Sequence, residues 1–300
     1  MAINPAIDVA SEAPTAEPGS RWVSTVLTFC RRRPLGAIGA GIVVIMLLVA
    51  AFAPFLAPYD PVTVDFGAML SPPGAQHWLG TDAFGRDVLS RLIYGSRTAL
   101  LVGFGSALLG ATAGAVLGVG SAYFGGKIDL YLQRLMDVLL CFPLIILALA
   151  IVAILGNNLW NLILAITIPM IPRCALVIRS SALSIREMPY VDAARASGFT
   201  HRRIILRHML PGAMAPVIVA ATLAIADSVV VEATLSYLSF GISPPEASLG
   251  NMLTNALEFF FRAPTLIFIP GITLILVVLS ASFIGDGLRD ALDPRQRVTN

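Results

Sequence analysis

The sequence predicts an all-α polytopic membrane protein with six transmembrane helices. Of the 300 residues, 57% are hydrophobic and only 13% charged, and the mean hydropathy is +0.82. A soluble domain carries roughly 25% charged residues, so this chain has too little polar surface to cover a globule in water. The apolar residues also form continuous runs of about twenty, the length of a helix crossing a hydrocarbon core of about 30 Å. A β-barrel would show ten-residue alternations instead. Disorder, secretion and collagen-like repeats are excluded by the same composition.

Residues 1–34 read as a cytoplasmic tail, Ala/Pro/Glu-rich at its start and without the apolar core of a cleavable signal peptide. The first span is Leu35–Leu56, preceded by Arg31-Arg32-Arg33 and free of charge. Residues 57–97 form the longest loop on the opposite face, with Pro58, Pro61, Pro72 and Pro73 favouring extended, turn-rich backbone. Near its end Thr81 or Asp82 can cap an amphipathic helix in which Asp87 and Arg91 pair at i,i+4 while Phe84, Val88 and Leu92 share another face. That helix is either a structural element at the headgroups or part of the docking and admission of solute.

Residues 98–285 hold five further spans. Thr98–Ala122 is charge-free and carries Gly110, Gly114 and Gly118 at every fourth position, a spacing that permits close helix approach. Val138–Leu155 and Leu159–Ile178 form a tight hairpin about Gly156-Asn157-Asn158. Ala213–Leu238 contains two carboxylates, and Leu266–Ile284 is the last span. Residues 286–300 are a second cytoplasmic tail. Sixteen of the 20 Lys and Arg residues fall on one face, leaving Arg86, Arg91, Arg97 and Arg262 on the other, so both termini are expected in the cytoplasm. In this count Arg173, beside Pro169 and Pro172, sits near the cytoplasmic end of the fourth span.

The basic loop between the fourth and fifth spans is the most informative segment. Over residues 186–211, Pro189 starts a short helix, Gly198 ends it in a left-handed conformation, and Thr200 caps a second helix that stops before Pro211. Two short helices about a glycine corner suit either a knob for a partner's groove or a hairpin held to anionic lipid by its arginines. Within the fifth span, Asp227 and Glu232 are costly in hydrocarbon and must face protein or water. They are candidates for the translocation path; the alternative is pairing with buried polar groups.

Other chemistry is sparse. Cys30, Cys141 and Cys174 show no metal or disulfide spacing, and neither do His77, His201 and His208, so no metal site is expected. No catalytic residues stand out: there is no nucleophile elbow, HExxH or acid pair. The nearest approach to a phosphate-binding loop, Gly120–Ile128, lacks both the glycine spacing and the hydroxyl after Lys127. The chain is therefore expected to bind no ATP or other cofactor, and no nucleic acid.

Asp192-Ala193-Ala194, three residues, Gly198, nine residues, then His208-Met209-Leu210-Pro211 resembles the EAA loop of bacterial ABC-importer membrane subunits, E-A-A-x3-G-x9-I-x-L-P. Asp192 stands for Glu and His208 for Ile. The segments Gly80–Gly95, Gly125-Gly126 with Asp129, and Gly285–Pro294 further resemble the C-type permease of dipeptide/oligopeptide/nickel importers. This resemblance implies a type I ABC-importer permease fold in the bacterial inner membrane. It also implies a second, B-type permease, two ATPase subunits carrying ATP and Mg, and an extracytoplasmic solute-binding protein. By the same resemblance Tyr190, Asp192, Ala193, Ala194, Gly198, His208 and Pro211 form the coupling site, seated in the ATPase cleft and moved as a lever when the ATPases close. Peptides lead as substrate, with glutathione and nickel carried by similar permeases. The alternative is an ion-coupled secondary transporter using Asp227 and Glu232.

Overall fold

The structure is a computed structural model describing Cys30 and residues 33–292. Most of the tail expected at 1–34, with Arg21, Arg31 and Arg32, and the end of the chain from 293 onward lie outside the described residues. Regular structure among the described residues is helical, apart from an isolated Thr81–Asp87 bridge. Among the described residues five helices are long and apolar enough to cross a membrane, giving six spans if one sharply bent pair counts as a single crossing.

Helix α1, Pro34–Ala51, breaks at Phe52 and resumes as α2, Ala53–Leu56, where Pro54 sits in the first turn and lacks the N–H that would continue the ladder. Helix α3, Val88–Phe124, is longer than predicted. The expected amphipathic helix and the second span are one continuous rod of 37 residues capped by Asp87. Asp82 does not cap it, and Asp87 does not pair with Arg91. Phe84 lies in the turn before the helix that carries Val88 and Leu92.

The third predicted span is also corrected. Val138–Leu155 is not one helix: α4, Gly126–Leu140, meets α5, Leu144–Leu155, at 89°. Pro143 is the cause, since it has no N–H to extend the ladder and a proline disfavours the helical conformation at the residue before it. The hairpin to α6, Leu159–Arg186, forms as expected. Asn158 caps α6 through Asn161 N, and Asn161 Nδ2 donates to the Gly156 carbonyl at 3.2 Å.

After α7, Pro189–Ala196, the chain turns into α8, His201–Tyr237, a single helix of 37 residues. Helix α9, Leu249–Ala256, packs between α8 and α10, Thr265–Leu292. Helix α10 overruns the predicted tail boundary at 286, and Asp290 near its end pairs with Arg33 before α1 at 2.8 Å.

Lipid supplies no hydrophobic drive between spans, so close packing must come from small residues. Helices α3 and α6 meet this way. A Cβ on Gly114 would lie 2.5 Å from Cys174 Cβ, and one on Gly118 would lie 2.6 Å from the Ala175 carbonyl oxygen. At Gly110 the same atom would make an ordinary 3.6 Å contact with Met170, so the close approach is confined to two of the three predicted glycines.

The two ends of the bundle differ. The loop end, residues 57–87, is tied down by charge: Asp82 accepts from Arg86 Nε at 2.7 Å and lies 3.5 Å from Arg91 Nε. Arg91 also donates to the carbonyls of Pro61 and Pro245 at 3.0 and 3.3 Å. Asp87 accepts from Ser90 and contacts His77 Nδ1 at 3.0 Å. The opposite, hairpin end carries α7 and the start of α8.

Candidate functional site

The hairpin end is assembled by its own punctuation. Pro189 occupies the first turn of α7, where its missing N–H costs nothing, and Gly198 adopts φ +72° after the helix. Phe199 N donates back to the Ala194 carbonyl at 3.2 Å, closing the corner. Thr200 precedes α8 without a side-chain cap. The second hairpin helix does not stop before Pro211. It passes through a π-turn, Ile205–Met209, and runs on into the span, with Pro211 in the first turn after the π segment. The wider turn accommodates a ring that would clash inside a regular α-helix.

Helix α7 has two faces. Val191 and Ala194 are buried in a cluster with Val119, Ile178, Ile185, Ile204 and Met209, which joins α3, α6 and α8. Tyr190, Asp192 and Ala193 are exposed. Ala194, expected among the partner contacts, is thus an anchor of α7 to the bundle and is 4% exposed. Asp192 pairs with Arg195 one turn on at 2.9 Å, both at the surface. Tyr190 Oη donates to the His208 carbonyl at 3.2 Å, stapling α7 to the π-turn. The His208 ring lies 5.7 Å from that of Phe199, so the residue that departs from the family pattern still packs against an aromatic neighbour.

Beside α7 is an open groove of about 440 Å³ lined by Tyr123, Arg186, Arg195, Phe199 and His201. Tyr123 Oη and His201 Nδ1 are 2.6 Å apart, and Arg195 lies over the Tyr123 ring at 5.6 Å. Arg186 donates to the Ala122 carbonyl at 3.0 Å, fixing the end of α6 to the end of α3. None of these groove contacts was marked by a motif; the aromatic residues at the end of an apolar run were the available signal.

Within the bundle, α6 carries two aspartate-paired arginines. Arg179 grips Asp129 of α4 through two hydrogen bonds of 2.7 and 2.5 Å, with both side chains at least three-quarters buried. Arg173 approaches Asp227 of α8 at 3.9 Å, with side-chain exposures of 60% and 57%. Arg173 therefore lies at mid-helix and not near the end of the span, because α6 continues through Pro169 and Pro172 to Arg186. Glu232 separates from Asp227. It is fully buried, and its Oε1 accepts from Ser236 at 2.8 Å and from Ser248 at 2.9 Å, fastening the segment before α9 to α8. It does not reach a surface open to solute in this structure.

Comparison with known proteins places this arrangement. Residues 110–298 match the family described as binding-protein-dependent transport system inner membrane component, and residues 20–73 match the N-terminal transmembrane domain of oligopeptide transport permease C. A putative peptide transport system permease protein of Brucella suis biovar 1 is 41% identical over 276 residues, covering 92% of this chain and 93% of the relative. A dipeptide transport system permease protein of Alkalihalophilus pseudofirmus is 40% identical, covering 89% and 88%. A glutathione transport system permease protein of Pectobacterium atrosepticum is 38% identical, covering 86% and 87%. Among solved structures, the inward-facing MetNI methionine ABC transporter aligns with TM-score 0.55 at 22% identity over 68% of this chain and 97% of the other, a likeness of fold.

Proposed function

Since this chain belongs to the binding-protein-dependent transport system inner membrane components, we propose that it imports dipeptides or oligopeptides, with α7 as the element that couples it to separate ATPase subunits. As a family member it is a multi-pass inner-membrane permease subunit of a peptide-type ABC importer. The finer reading is ours. A second permease completes the path, an extracytoplasmic binding protein delivers solute, and the hairpin end and both termini face the cytoplasm. ATP and Mg are held by the ATPases and not by this chain.

The observation that carries the reading is the two-faced α7. Its exposed residues, Tyr190, Asp192 and Ala193, form a helix edge suited to a partner's groove, while Val191 and Ala194 lock it to α3, α6 and α8. A displacement of α7 is thereby delivered to three spans at once. The ion-coupled alternative has less support, because Glu232 is fully buried with its Oε1 held by Ser236 and Ser248.

The test is reconstitution of the complete transporter with ATPase activity stimulated by loaded binding protein. Ala193→Arg is expected to reduce stimulation about ten-fold or more, within the usual range of intersite coupling, while the complex stays assembled. Undiminished stimulation in an assembled complex would remove α7 from the coupling role.

A further inference from the structure

The loose Arg173–Asp227 contact lies at a depth where charge is least tolerated. Arg173 is 14 residues from Leu159 at the start of α6, about 21 Å along the helix, and Asp227 is 10 residues from Tyr237 at the end of α8, about 15 Å. Both reference ends lie at the loop end, where Ser243 donates to the Asn157 carbonyl between them. The pair is therefore near the middle of a hydrocarbon layer of about 30 Å. Charged side chains at that depth, each more than half exposed on this chain, cannot face lipid and must face protein or water.

One feature favours a water-filled path. The contact is 3.9 Å long and carries no hydrogen bond, unlike the two-bond Arg179–Asp129 clamp six residues along the same helix, so both partners keep donors and acceptors free for a third party. A guanidinium and a carboxylate thus share the middle of one helix pair. The free amino and carboxyl ends of a short peptide would use both.

We propose that Arg173 and Asp227 form a subsite of the translocation path for zwitterionic peptides, Asp227 taking the ammonium end and Arg173 the carboxylate, the two closing on each other when the path is empty. The proposal rests on the peptide-import reading above and deepens it. Opening such a solvated, unbonded pair costs little, and the exchange leaves the net charge of the path unchanged.

Uptake of L-alanyl-L-alanine and binding-protein-stimulated ATPase are measured together in proteoliposomes holding the complete transporter. Asp227→Asn and Arg173→Gln are each expected to lower uptake per ATP hydrolysed about ten-fold, as loss of a charge-assisted hydrogen bond does. Asp227→Glu should keep most of it. The double neutral variant separates the roles: a merely structural ion pair is relieved when both charges go, whereas a subsite is at its worst. In a chain with Cys30, Cys141 and Cys174 replaced by Ser or Ala, Asp227→Cys in the assembled complex should react with a cationic methanethiosulfonate. An unreactive thiol, or a double variant with wild-type uptake per ATP, overturns the subsite. A wild-type transporter that ignores dialanine overturns the peptide reading and the subsite together; one that imports it while both single variants match it overturns the subsite alone.

Discussion

At the loop end Arg86 and Arg91 are 5% and 2% exposed and close around Asp82, with Arg91 reaching two further carbonyls across the chain. At the hairpin end Arg195, Arg202, Arg203 and Arg207 are all exposed, and the ion pair of Asp192 with Arg195 lies within a single helical turn. The same residue type thus does two jobs. Enclosed arginines bind distant pieces of one chain and resist rearrangement, since separating them strands a charge. Exposed arginines on α7 and the first turns of α8 remain available to another molecule and contribute little to the fold.

The largest expected effect breaks the loop end. Asp82→Asn leaves two enclosed guanidiniums without their carboxylate, and a loss of about 3–5 kcal/mol is expected, seen as early thermal unfolding of the purified protein in detergent. Next is the α3–α6 seam, where Gly118→Leu drives a side chain into the Ala175 carbonyl and is expected to cost about 1–3 kcal/mol in the same assay. Arg179→Gln removes the clamp to Asp129 and is expected to cost about 1–2 kcal/mol, loosening α4 from α6 and exposing α4 to limited proteolysis. The smallest stability effect sharpens the contrast: Asp192→Ala, which breaks only the exposed pair with Arg195, is expected to change stability by no more than about 0.5 kcal/mol. Stability loss from Asp192→Ala comparable to that from Asp82→Asn would erase the distinction between the two ends.

The spans were legible because a bilayer demands a run of apolar residues, and such runs survive any detail of packing. The hairpin was legible for another reason: Pro189 and Gly198 act through their own backbone chemistry, whatever surrounds them. Hydropathy did not reveal the break at Pro143, because one proline inside an apolar stretch hardly changes its average while removing the ladder donor. It placed the start of α3 too late because Arg91 and Arg97 interrupt the run, although Arg91 is enclosed by partners far away in sequence. Pro211 read as a stop because the π-turn that admits it has no composition of its own. Counting basic residues by loop put Arg173 at the end of a span, and its partner Asp227 emerged only when α6 and α8 were laid side by side. Glu232 stayed open between the path and buried polar partners for a similar reason: Ser236 at i+4 was visible in the sequence, but Ser248 arrives through a turn sixteen residues away.

The π-turn at Ile205–Met209 keeps α8 in phase. A π-turn holds one residue more than the α-helical turn it replaces and still makes about one turn, whereas each residue of a regular α-helix advances the azimuth by about 100° and the axis by about 1.5 Å. Deleting one residue within 205–209 would therefore restore regular pitch with the elements on either side close to their present bearings, while deleting one from the regular part of α8 between 212 and 226 would swing α7 by about 100° relative to Asp227. The turn acts as a washer: it takes up one surplus residue without altering the compass bearing of α7 relative to the membrane ion pair.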